Sequence, residues 1–186
     1  MPEMRCGTVG ATNDPWRAVP KPENIERFIR EWLQGEGHDD LVAYARCTTM
    51  HVPLVDVAGS VSSSDPRWAV GLLGRDLADN RLVLGATHAF VLTPTRFLIL
   101  QLSGWKERVK AARFDVDASS VTVHYIDAVQ DQGHTARYLI ADLPDGSWAC
   151  DAMITVKKNG ARSPFADSVD AFLAALGERA QPIAYG

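Results

Sequence analysis

The chain has 186 residues, with 19 Lys or Arg against 23 Asp or Glu, for a formal charge of −4. At 46% hydrophobic and 23% charged it is composed like one globular domain with a sizeable core, which excludes a disordered chain, a collagen-like fibre and a coiled coil. The acidic balance also lacks the positive field that broad nucleic-acid binding needs, so no nucleic-acid partner is expected.

Three cysteines, Cys6, Cys47 and Cys150, stand far apart without a CxxC pair. That spacing removes zinc-ribbon and thioredoxin-like readings, and an odd count suits a reducing compartment. The first residues hold no apolar stretch of signal-peptide length, and the window VLTPTRFLILQL is too short to span a bilayer. The expectation is a cytoplasmic protein with no transmembrane segment.

Residues 1–22 carry Pro2, Pro15, Pro20 and Pro22 and read as an extended arm, because proline removes backbone donors. A single domain is expected over 23–180. Ile25, Phe28, Ile29, Trp32 and Leu33 recur at helical spacing and predict a helix over 23–34, ended by Gly35 and Gly37. A strand follows at 41–49. An insertion at 58–80 begins with the Ser-rich GSVSSSDP and continues as a short helix with Pro66 at its first position.

Strands dominate from Leu82. Segments 82–92 and 96–102 flank Thr93-Pro94-Thr95 and form a hairpin, and 112–116, 120–126, 135–143 and 148–156 extend the meander. The last two are joined through Pro144-Asp145-Gly146-Ser147, in which Pro presets φ and Gly accepts positive φ. Segment 96–102, RFLILQL, is apolar on both faces and needs a second cover. The helix at 23–34 is the natural candidate and a dimer partner the alternative. A final helix at 163–177 has Ser163 as N-cap, Pro164 at its first position, the stripe Phe165, Val169, Phe172, Leu173 and Leu176, and Gly177 as its stop. The fold class is therefore α+β: an antiparallel barrel or sandwich over 41–156, capped by a C-terminal amphipathic helix, with an extra N-terminal helix.

Three segments carry a resemblance. LQGEGHDDLVAYARC is similar to an "L-x-x-G-E" first strand, and HAFVLTPTRFLIL to a "v-x-T-x-x-R-l-l-v" hairpin with Thr93 and Arg96 at the matching positions. LPDGSWACDAM resembles a penultimate hairpin ahead of the helix at 163–178. Over 33–178 the chain thus resembles the bacterial pleckstrin-homology-like (PH-like) and GRAM-like domains. The resemblance implies a PH-like barrel that binds through loops at its open end. Ligands differ widely on this fold, so no activity is carried over with it.

No phosphate loop, GxGxxG, HExxH or GxSxG motif occurs, and no cofactor or metal is expected. The strongest binding signal is the basic run Arg96, Lys106, Arg108, Lys110 and Arg113, with Trp105 beside it. Lys and Arg converging from loops hold anionic groups, and Lys106, Arg108 and Lys110 alternate, so extended backbone projects them from one side. The same charges would equally serve as a solvated edge that deters aggregation. A second reading places a small-molecule pocket or active site between barrel and N-terminal helix, at Asp115, Asp117 and His124, where carboxylates near a histidine suit acid–base work. A third is a structural subunit of a homo-oligomer. The leading expectation is a non-catalytic module that binds a protein partner, a second copy of itself or an anionic ligand.

Overall fold

The computed structural model describes residues 20–48, 66–76, 81, 82, 84, 87–103, 106–129 and 133–184. The expected arm and the Ser-rich loop lie outside these residues, apart from Pro20 to Pro22. The first helix, α1, runs Pro22–Glu36. It stops where Gly37 takes φ 76° and donates its N–H to Gln34, while His38 donates back to Leu33, the paired closure that glycine permits without steric cost. Strand β1 is Ala43–Thr48, and a short helix α2, Pro66–Gly71, stands where the insertion predicted one. Then come β2 (Thr87–Leu92), β3 (Arg96–Ser103), β4 (Arg108–Asp117), β5 (Thr122–Val129), β6 (Thr135–Asp142) and β7 (Trp148–Val156). The helix α3 (Ala166–Leu176) and a short β8 (Ala180–Pro182) complete the order.

The strands follow the order β4-β3-β2-β1-β7-β6-β5-β8. Within β1–β4 and within β5–β7 every neighbour is antiparallel, whereas among the described residues the two meanders are joined by one pairing, Thr48–Ala152. β8 pairs parallel to β5. The α+β class and the meander with both helices are thus present. A closed barrel is not: β4 and β8 are the two ends of the strand order, so the sheet is open.

Strand β3 explains the placement of both helices. Phe97, Leu98, Ile99 and Leu100 are all fully buried, so neither face meets water. Ala45, Phe90 and Ile99 are in register on one face, and Phe172 of α3 packs its ring against Phe90 and Phe97 with centroids 6.4 Å apart. Tyr44, Val91 and Leu98 are in register on the other face, where the Tyr44 hydroxyl donates to the Pro22 carbonyl at 2.9 Å. That bond lays the start of α1 over this face, and Ile25, Ile29 and Leu33 join the same core. The second cover demanded by RFLILQL therefore comes from the chain itself.

Several boundaries differ from the expectation, three of them at element starts that bear on the core and the site. The described part of β2 starts at Thr87, because Leu82 instead donates its backbone N–H to Trp148 on β7. β4 starts at Arg108, well before residue 112. α3 starts at Ala166 with Phe165 as its cap residue, since Phe165 is drawn into the core and Ser163 closes a preceding turn onto Ala166.

Because Phe172 is fully buried against Phe90 and Phe97, Phe172→Ala is expected to cost about 3–5 kcal/mol, read as a lowered urea midpoint with an unchanged slope.

Candidate functional site

In the run Lys106-Glu107-Arg108 the central acid turns inward. Glu107 has φ 50°, a left-handed conformation uncommon for a non-glycine residue, and is buried. Its carboxylate accepts two hydrogen bonds from Arg46 on β1, from Nε at 2.6 Å and from Nη2. Arg46 shares its face with Ala89, whose short side chain leaves room for the guanidinium to reach across the sheet. The same guanidinium lies 4.9 Å from the centre of the Phe165 ring. One buried ion pair thereby clamps the β3–β4 turn to β1 and to the start of α3. A bidentate arginine–carboxylate pair fixes orientation as well as position.

With Glu107 held inside, its two basic neighbours face solvent. Arg108 extends over the Phe28 ring of α1, 5.0 Å from its centre, with Arg27 over the same ring at 4.8 Å. Lys110 and Arg113 are exposed, and each stands at a bulge. The β3–β4 register passes from Leu102–Val109 to Gln101–Ala111 and from Leu100–Ala112 to Ile99–Phe114, leaving these two residues without an opposite number. Simple alternation of 106, 108 and 110 is therefore broken, because a bulge re-aims the residue it inserts.

The remaining expected site residues fall elsewhere. Arg96 is at the opposite end of the β3–β4 hairpin, where its Nε donates to Asp115 Oδ1 at 2.7 Å. Asp117 accepts from the Ser119 hydroxyl and from the Ser119 backbone N–H at 2.8 Å, which together hold its carboxyl below the usual range and make it a turn cap. His124 lies on β5, separated from β4 by five intervening strands in the sheet order, with its Nε2 3.1 Å from Asp142 Oδ2. Asp142 is also gripped by Arg75, whose Nη2 donates to Oδ2 at 2.8 Å. The structure does not bring Asp115, Asp117 and His124 together. Trp105 lies outside the described residues.

Two buried polar pairs carried little signal in the sequence. One is Arg46–Glu107. The other is His88 and Asp151, fully buried on β2 and β7, with His88 Nε2 bonded to Asp151 Oδ2. Cys47 is the cross-strand neighbour of His88. A cysteine, a histidine and an aspartate side by side resemble the parts of a nucleophilic triad. Burial pushes the Cys47 thiol well above its ordinary range, and Asp151 raises it further, so the sulfur stays protonated and inert. Among the described residues no group of three His, Cys, Asp or Glu side chains is arranged to hold a metal ion. No described helix is long and apolar enough to cross a membrane.

Compared with known proteins, the chain matches no family model and no curated protein.

Two predictions follow from the ion pairs. Glu107→Ala leaves the Arg46 guanidinium buried without its carboxylate, and a loss of about 3 kcal/mol is expected in chemical unfolding, where Glu107→Gln loses less. Burial raises Asp142 and Asp170, but the arginines beside them (Arg75; Arg162 and Arg137) outweigh it and hold both carboxyls below the usual value. A depressed carboxylate stabilises the fold above its unfolded-state value of about 3.9 and loses that contribution as the pH falls through the folded-state value. Stability is therefore expected to be flat near neutrality and to fall below about pH 4, and Asp142→Asn is expected to reduce the acid-dependent part of the curve.

Proposed function

We propose that this chain is a non-catalytic, PH-like binding module that takes an anionic ligand at its β3–β4 end. Two antiparallel meanders adjoining through β1 and β7, with a C-terminal helix packed chiefly on β1 and in part on β7, support the PH-like reading. The observation that carries the binding site is the inward clamp on Glu107. It neutralises the one acid within the basic run and fixes the backbone that presents Lys106 and Arg108 to solvent. With Glu107 internally satisfied, Lys106 and Arg108 are both exposed cations beside it, and charge held in place in this way binds at low ordering cost.

Among the described residues the candidate acid–base groups are not assembled for turnover. Asp115, Asp117 and His124 are each engaged with separate partners, and the buried thiol is unreactive.

The test is a charge reversal at the turn, Lys106→Glu with Arg108→Glu, assayed against an anionic panel of inositol phosphates, anionic vesicles and an acidic peptide. Binding to the panel is expected in the parent protein and a loss of at least about tenfold in the double variant, with far-UV circular dichroism unchanged. The Arg108–Phe28 contact is worth only about 0.5–1 kcal/mol at an exposed site, so the fold tolerates its loss. Binding retained in the variant places the contact elsewhere on the molecule.

A further inference from the structure

Resting on that reading of the β3–β4 end, we propose that its ligand is an extended acidic segment of a partner protein, laid along β4 and held by side-chain ion pairs. The exposed cations Arg108, Lys110 and Arg113 are spread along β4. At about 3.3 Å per residue, Arg108 and Lys110 are separated by about 7 Å and Arg108 and Arg113 by about 16 Å, somewhat less where the bulges contract the strand. A compact phosphate cluster is bound by cations converging on one point. Cations spread over that length instead suit a ligand that is itself extended and carries several carboxylates along it.

The strand's position agrees with this occupant. β4 is the end of the strand order, so its outer side has no neighbouring strand among the described residues. The bulges at Lys110 and Arg113 interrupt the regular spacing of the strand, which makes it a poor template for main-chain addition and leaves side-chain charge as the means of recognition. Ala112, exposed between the two bulged cations, presents no bulk against an approaching backbone.

The charge also has a boundary. The same strand ends in Asp115 and Asp117, so the acidic stretch of the ligand is confined to the 108–113 portion. A nucleic acid, with phosphate at every step, would run into those two carboxylates.

Fluorescence anisotropy of the full chain with a labelled twelve-residue peptide of alternating Glu and Ser tests the assignment. The expected result is saturable binding that weakens steeply with salt, vanishes for a peptide with Gln in place of Glu, and falls about tenfold or more in Lys110→Glu with Arg113→Glu. Both side chains are exposed, so the variant leaves the core intact. Inositol hexakisphosphate, anionic vesicles and a single-stranded oligonucleotide are expected to bind about tenfold or more weakly than the peptide. If one of these binds tightly at Lys106 and Arg108 while the peptide does not, the anionic site stands and the peptide assignment is overturned. Peptide binding indifferent to the Lys110 and Arg113 reversal likewise overturns it. Failure of every anion to bind overturns both the assignment and the anionic site beneath it.

Discussion

A strand with no solvent-facing side is the constraint on which this structure depends. Phe97, Leu98, Ile99 and Leu100 lose all contact with water, and a single sheet can shield only one face of such a strand. The chain meets the demand with two helices from its opposite ends. α1 arrives on one face, anchored by the Tyr44 hydroxyl on the Pro22 carbonyl, and α3 supplies Phe172 to the other. Burial pushes the Tyr44 hydroxyl up to about 12, so it remains a donor across the physiological range. The sheet can stay open at both edges because the helices, not barrel closure, complete the core.

The polar interior follows from the same arrangement. Arg46 lies on the face that α1 covers, where a lone guanidinium would be costly, and Glu107 supplies the opposite charge by taking an unusual backbone conformation. The backbone cost at one turn residue is offset by a bidentate pair under an aromatic ring. The position of the β3–β4 turn is thus a by-product of satisfying a charge inside the domain. A second network joins β5, β6 and α3: Arg137 donates from Nε to Asp127 at 2.8 Å and also bonds Asp170, which Arg162 reaches as well. This ties the C-terminal helix to the meander that its apolar stripe touches least.

Much of the scaffold was legible in the sequence. The helical stripe beginning at Ile25, the Gly37 stop, the turn at Pro144 to Ser147 and the doubly apolar RFLILQL each correspond to a local physical cause, and each appears in the structure. What escaped depends on contacts between distant segments. Ser163 and Pro164 read as a helix start, but burial of Phe165 under Arg46 delays it. The β8 strand is three residues long and contains a proline, so it has no periodicity to detect. Of the site, the basic residues at 106, 108 and 110 were visible as a pattern. Glu107 read as an interruption, because nothing in its neighbours reveals a partner 61 positions earlier. Arg96 joined the run in sequence and left it in space, since the hairpin carries it to the other end.

The β1–β7 junction, where Thr48 pairs with Ala152, has a consequence for how the chain comes to be folded. Each meander is built from neighbours in sequence and can form by short loop closures as synthesis proceeds. Their union cannot. α3, which packs on β1 and also touches β7, is the last helix in the chain, so a growing polypeptide holds two half-finished sheets until residue 176 has emerged. Through that interval the face of β3 destined for Phe172 is bare. The domain is therefore most exposed to misassociation late in its own synthesis, and the final helix acts as the step that commits it to the native state.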